Sequence, residues 1–335
     1  MRNRNYLIFL LLLVSAGPAL SQTGGYFSLD YNRGQEESAV PEGMFLGLEA
    51  GIIFNGSLSE RFEYVSEFSI QADSPLRVEQ AVIGYRLAEA LIIKAGLFPV
   101  PFGEYNEMNR PFLTQLINPP LHSAGLLPYR WRDMGLLVEG ETRGFYYAAY
   151  IGNGLGEAEN LNQSFGFVDN NKDKSRGGKV KLSLGSGLDV AYSTYWGKYD
   201  DQNTRQMRMS ALNAVWKADF IYVLYERIWA SLENPMDIQD GEGKGDLVLV
   251  AVSLDSFQPF ASYQKMTYQD EFHGYGFNGE NIPGLGISED KTRWTAGVVY
   301  HPAHGVRLKI EYDWNLEEGL ELNDNILCFQ VAVVF

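Results

Sequence analysis

The chain has 335 residues, a formal net charge of −15 at pH 7, 35 glycines, 20 tyrosines, 19 phenylalanines, 6 tryptophans and one cysteine. So acidic a balance argues against nucleic acid as a partner, which needs clustered Lys and Arg. A single cysteine excludes an intrachain disulfide framework and leaves a zinc–thiolate centre without its ligands.

At the start of the chain Arg2 and Arg4 precede an apolar run, 6–14, too short to cross a bilayer. It reads as a secretory signal peptide. The small residues Ala19 and Ser21 stand three and one positions before Gln22, so the expected division is a signal peptide over 1–21 and a mature domain over 22–335. No cysteine follows the run, so a lipid-modified N-terminus is not expected. Beyond it no apolar stretch of about 18 residues occurs, which excludes helical spans and leaves a soluble chain or a barrel.

Period two then dominates. In 61–71, Phe62, Tyr64, Phe68 and Ile70 share one face, with Arg61, Glu63, Glu67, Ser69 and Gln71 on the other. Only a strand separates residues in that way. Sixteen segments read as strands: 25–32, 44–54, 61–71, 77–87, 91–98, 132–141, 144–152, 177–184, 188–197, 206–217, 219–229, 245–254, 257–268, 292–301, 305–314 and 324–335. Most have the roughly 9 to 11 residues of a tilted transmembrane strand. Links after even strands are short, namely 55–60, 88–90, 142–143, 185–187, 218, 255–256 and 302–304, whereas most links after odd strands are long and polar. This alternation is that of periplasmic turns and extracellular loops, and a soluble sandwich has no reason to keep it. The expected fold is therefore all-β: a closed antiparallel transmembrane β-barrel of about 16 strands in the outer membrane. The last segment ends in Phe335, like the terminal aromatic signal that barrel-assembly machinery reads.

A Lys or Arg on the lipid face near the midplane costs about 2 to 4 kcal/mol, so charged alternates are expected inside. The inner wall would carry Glu49, Arg61, Glu63, Glu67, Arg86, Lys94, Glu139, Lys179, Lys181, Asp189, Arg293, Arg307, Lys309 and Glu311, in a hydrated lumen. Strands ten to twelve alternate poorly, as in 247–252, where a face packed on another protomer is one explanation. The segment 99–131 is the third external link and is rich in Pro, Phe and Leu, which suits packing against a wall. Folded into the lumen, it would make Glu104, Glu107, Arg110 and Arg130 the charges of a constriction. An external lid is the alternative.

Within this region Ala95-Gly96-Leu97-Phe98-Pro99-Val100-Pro101-Phe102-Gly103 resembles the G-x-F-x-x-P-F-G stretch of the phosphate-selective porin O and P family. Trp131-Arg132-Asp133-Met134-Gly135 is similar to its R-D-x-G strand start, and Tyr150-Ile151-Gly152-Asn153-Gly154 with the Asp/Asn/Lys run 169–174 resembles its next loop. The resemblance covers strands four to eight. It implies a sixteen-stranded, commonly trimeric porin with an inward third loop, hence a homotrimer as expected assembly. It does not extend to phosphate selectivity, because the third link has just Arg110 and Arg130, opposed by Glu104 and Glu107.

Asp169, Asn171, Asp173 and Ser175 have calcium-loop spacing, but Lys174 takes the glycine position and the twelfth-position Glu is missing. His122, His273, His301 and His304 form no ligand motif, and no nucleophile with an adjacent base can be named. No metal, cofactor or enzymatic activity is expected. The expected function is a passive channel for small polar or ionic solutes, the alternative being a plugged structural or adhesive barrel whose external loops bind ligands. About sixteen strands favour an aqueous channel, since eight leave an interior filled by side chains. Its partners would be outer-membrane lipid, the solutes and the assembly machinery.

Overall fold

The computed structural model describes residues 21–72, 74–157, 161, 169, 171–235, 238–273, 290–317 and 322–335. The expected signal segment lies, except for Ser21, outside the described residues. Sixteen strands follow in chain order: β1 (Ser21–Gly34), β2 (Met44–Ser57), β3 (Phe62–Gln71), β4 (Ser74–Ala88), β5 (Leu91–Pro99), β6 (Arg132–Thr142), β7 (Phe145–Gly152), β8 (Ser175–Ser183), β9 (Leu188–Lys198), β10 (Gln206–Lys217), β11 (Ile221–Leu232), β12 (Gly241–Val252), β13 (Phe257–Asp270), β14 (Lys291–Ala303), β15 (Val306–Glu317) and β16 (Ile326–Val334). Each pairs antiparallel with its chain neighbours, and β1 closes the circuit on β16 from Tyr26 opposite Val334 to Gly34 opposite Ile326. Closure leaves no sheet edge and satisfies every strand within the barrel, which is what a hydrocarbon solvent demands.

The even-numbered strands end in tight turns. Arg143 and Gly144 connect β6 to β7 with φ of 49° and 77°, the doubly positive pair of a type I′ hairpin whose twist matches its strands. Several strands run longer than the sequence predicts. β12 begins at Gly241, where Gly241 to Lys244 pair with Leu232 to Trp229 of β11. A Gly-Glu-Gly-Lys run has no apolar alternation, so its strand character comes from its neighbours and was illegible alone.

The two faces are inverted relative to a water-soluble protein. Ile52, Phe62, Ile310 and Trp314 lie outward and are 48%, 41%, 42% and 43% exposed, while Glu49, Glu67, Lys179 and Glu311 point inward and are buried. Charges sit where water or partners reach them, and hydrocarbon side chains sit where lipid does.

The inner face of β10–β13 departs from the expected hydrated wall. Met207, Met209, Ala211, Ile228 and Leu232 are buried with Phe102, Leu121, Leu126, Leu127 and Trp131 of the long link. Val215, Leu224, Leu247 and Leu249 are buried with Tyr105 and Leu116. This explains the poor alternation of these strands: both faces are apolar, one against lipid and one against the link.

Candidate functional site

The link 100–131 contains two short helical turns, Tyr105–Met108 and Leu121–Gly125. It is tied to the wall by carboxylates that receive its backbone N–H groups. At its start Gly103 adopts φ 67°, and a Cβ there would approach Glu226 Oε2 to 2.9 Å. This close approach lets the Glu104 and Tyr105 amides donate to Glu226, the latter at 3.2 Å, while the Gly103 amide donates to Ser193 Oγ at 2.9 Å. Farther along, the Ile117 and Asn118 amides donate to Glu311 at 2.7 and 3.1 Å, and the Asn118 side chain donates to Asp313 at 2.8 Å. The Leu121 amide donates to Gln264 Oε1 at 3.0 Å. His122 Nε2 stands 3.2 Å from Glu226 Oε1. One segment thus touches β9, β11, β13 and β15.

On the β2–β4 side the attachment is ionic. Arg110 donates to both oxygens of Glu67, at 2.7 and 3.1 Å. Arg130 holds Glu49 in the same bidentate manner, with one bond at 2.7 Å. Glu79, fully buried, accepts from Arg132 at 2.5 Å and lies 3.7 Å from Arg130 and 3.9 Å from Arg110. The Tyr26 hydroxyl bridges Glu49 and Glu67 at 3.0 Å each. Three guanidiniums and three carboxylates compensate one another here, which a dry ionic cluster requires. Glu107 and Glu104 face Lys179 at 2.8 and 3.5 Å, and Lys179 also donates to the Gly103 carbonyl at 2.8 Å.

All four residues predicted at a constriction therefore lie on the link, but each has an opposite charge beside it on the wall. They are fasteners as much as exposed charges. The predicted wall residues divide similarly. Arg86 pairs with Glu63 at 3.0 Å and Lys94 with Glu139 at 2.6 Å, both partly exposed on the inner face. Lys181 lies over the Tyr146 ring at 5.4 Å, and Arg293 donates to Asn315 at 2.7 Å. Arg307 donates to the Thr114 carbonyl at 3.3 Å, Lys309 is buried, and Arg61 is exposed near the turn before β3, 3.3 Å from the Tyr85 hydroxyl.

Sequence reasoning missed Glu79, Arg132, Glu226, Gln264 and Asp313. Glu79 escaped because Glu67 pairs with Gln80 while Phe68 pairs with Val78, an irregularity that inserts Glu79 as an extra residue and turns it inward. Glu226 sits in the strands whose alternation was unreadable. Asp313 alternates in phase with Glu311 and was recoverable from that signal.

Between the link and the wall of β1, β2 and β16 lies a cavity of about 470 Å³, lined by Ser28, Asp30, Glu49, Tyr105, Asn109, Thr114, Asn118, Tyr129, Arg130 and Gln330 among others. Its lining mixes these polar and charged groups with apolar ones such as Ile117 and Pro119, and includes two phenol rings. Glu311, Asp313 and Cys328 offer ligand atoms within 4.8 Å of one another. Link N–H groups already use the Glu311 oxygens, and Asn118, Thr295 and Arg293 surround Asp313, so the cluster anchors chain rather than cradling a cation.

No family model matches the chain. An uncharacterized protein of Aquifex aeolicus is 26% identical over 159 residues, 42% of this chain, and the chain spans 35% of that relative. Among solved structures, the barrel is similar to the Vibrio cholerae outer membrane protein OmpT in its trimer form (TM-score 0.68, 13% identity, 94% of this chain and 99% of that one). It is also similar to the outer membrane channel DcaP of Acinetobacter baumannii (0.67, 12%, 94% and 97%) and to an anion-selective porin of Comamonas acidovorans (0.65, 11%, 94% and 99%). Such likeness is one of fold: the sixteen-stranded barrel of bacterial outer-membrane porins.

Proposed function

We propose that the protein is an outer-membrane porin, a passive diffusion channel for small polar or ionic solutes, in which the link 100–131 lies inside the barrel and narrows it. The observation that carries this proposal is the cavity of about 470 Å³ left between the link and the wall of β1, β2 and β16, into which Asp30, Glu49, Asn118, Arg130 and Gln330 bring polar groups. Solutes would pass along this side, because the β9–β13 side is filled by apolar packing against the link. Phosphate selectivity is not part of the proposal: Arg110, Arg130 and Arg132 are matched by Glu67, Glu49 and Glu79, so no uncompensated cationic line remains at the link.

The dense packing of the link favours a second reading, a plugged barrel acting through its external links. Single-channel recording of purified protein in a planar bilayer decides between them. Discrete steps whose size scales with salt support the porin, and their absence in folded, inserted protein supports the plug.

A further inference from the structure

The outer wall holds a feature that the channel reading leaves unused. A lipid-facing surface is expected to be apolar through its middle, with aromatic residues at both margins. On β9–β13 the margin is different. Trp196 of β9 stands opposite Arg208 of β10, and Trp229 of β11 stands opposite Lys244 of β12. All four are exposed on the outer face, in the half of each strand that leads to the long links. Trp294 and Trp314, paired at the corresponding end of β14 and β15, have no basic residue between them. A groove of about 330 Å³ opens between the two tryptophan–base pairs, with Ser231 and Glu242 at its border.

The charges are not spent internally. Arg227, one step inward, is neutralised by Asp246 at 2.7 and 2.8 Å. Arg208 donates to the uncharged Gln206 at 2.7 Å, and among the described residues neither Arg208 nor Lys244 has a carboxylate partner within ion-pair distance. Glu242 is the acid nearest in register. In a chain of net charge −15, a basic groove facing lipid is an exception that calls for an anion.

We propose that this groove binds the phosphorylated headgroup of an outer-leaflet glycolipid, with Arg208 and Lys244 on the phosphate, Trp196 and Trp229 against the sugar, and acyl chains lying over Leu212 and Val248. Those two apolar residues continue the same outward faces toward the membrane centre. The inference rests on the outer-membrane reading with the long links outside; it does not depend on whether the pore conducts. A second copy of the chain is the competing occupant, but two copies each of net charge −15 repel one another as whole molecules, whereas a lipid phosphate brings its charge only to the two bases.

The test uses full-length barrel in a neutral detergent, with diphosphorylated lipid A as probe, dephosphorylated lipid A and phosphatidylglycerol as comparisons, and tryptophan fluorescence and native mass spectrometry as readouts. Parent protein should bind diphosphorylated lipid A preferentially, and added salt should weaken binding. The double variant Arg208→Gln, Lys244→Gln should bind it roughly thirtyfold more weakly, from about one surface charge interaction per base, with unchanged heat-modifiable mobility and conductance. Equal binding by parent and variant overturns the proposal, as does indifference to the phosphates. Equal preference for phosphatidylglycerol overturns the glycolipid assignment. If the variant instead loses a lipid-free oligomer while lipid binding persists, the groove is a subunit contact. A parent protein that binds lipid A but never conducts would sink the channel and leave this site standing.

Discussion

At Arg130 a guanidinium with 3% exposure lies between Glu49 and Glu79; without it Glu79 keeps Arg132 at 2.5 Å, while Glu49 loses its bidentate partner. Removing one member of a buried pair costs about 3 to 5 kcal/mol because the remaining charge stays desolvated. Arg130→Gln should therefore lower the temperature at which the barrel unfolds in heat-modifiability assays, and Glu49→Gln in the same chain should recover part of the loss. An unchanged unfolding temperature in the single variant would show that water reaches the cluster. Lys179 gives a second case, since Glu107 and Glu104 are its acid neighbours on the link. Replacing both with Gln leaves Lys179 unopposed there, and the reversal potential in a salt gradient should move toward anions. An unchanged reversal potential would place these residues off the conduction path. Phe335 differs in kind: its backbone pairs with Gly25 while the side chain is 80% exposed, so the ring contributes little packing. Phe335→Ala should reduce folded barrel recovered from the outer membrane without altering pore properties, if the ring serves as the assembly signal.

Among the elements, the link 100–131 has the clearest measurable consequence. Its amides end on Ser193, Glu226, Gln264 and Glu311, so it is held by side chains from four separate strands. Deleting 106–124 should enlarge single-channel conductance, provided heat-modifiable mobility shows a folded barrel. A deletion within 157–171, a polar link of which 158–160, 162–168 and 170 lie outside the described residues, should change conductance less. The opposite ranking would mean that another link narrows the pore.

For the whole molecule the consequence is orientation. Apart from 72–73 after β3, the links after odd strands are longer than the tight turns after even strands, the asymmetry by which bacterial barrels keep the former outside the cell and the latter in the periplasm, and the same orientation is expected here. Cysteine introduced at Ser38 or Asp201 should react with an impermeant thiol reagent on intact cells, and cysteine at Glu89 or Asp219 should not. The native Cys328 is buried and supplies no background. Labelling confined to the second pair would invert the barrel.

Much of this was legible in the chain alone. Period-two alternation at 61–71 and 305–314 fixes which side chains face lipid, because hydrocarbon rejects charge whatever the neighbouring strand is. The rhythm of link lengths fixes strand number and direction, because antiparallel hairpins need only a turn at one end. The tertiary structure decided what sequence could not. That β10–β13 carry two apolar faces follows from the link packing behind them, a contact between residues far apart in the chain such as Leu116 and Leu247. That Glu79 turns inward follows from an extra residue in β4 opposite β3, visible only when both strands are paired. Whether Arg110 and Arg130 stand free or neutralised depended on Glu67 and Glu49 lying opposite them, and alternation along one strand says nothing of what a distant loop brings to its face.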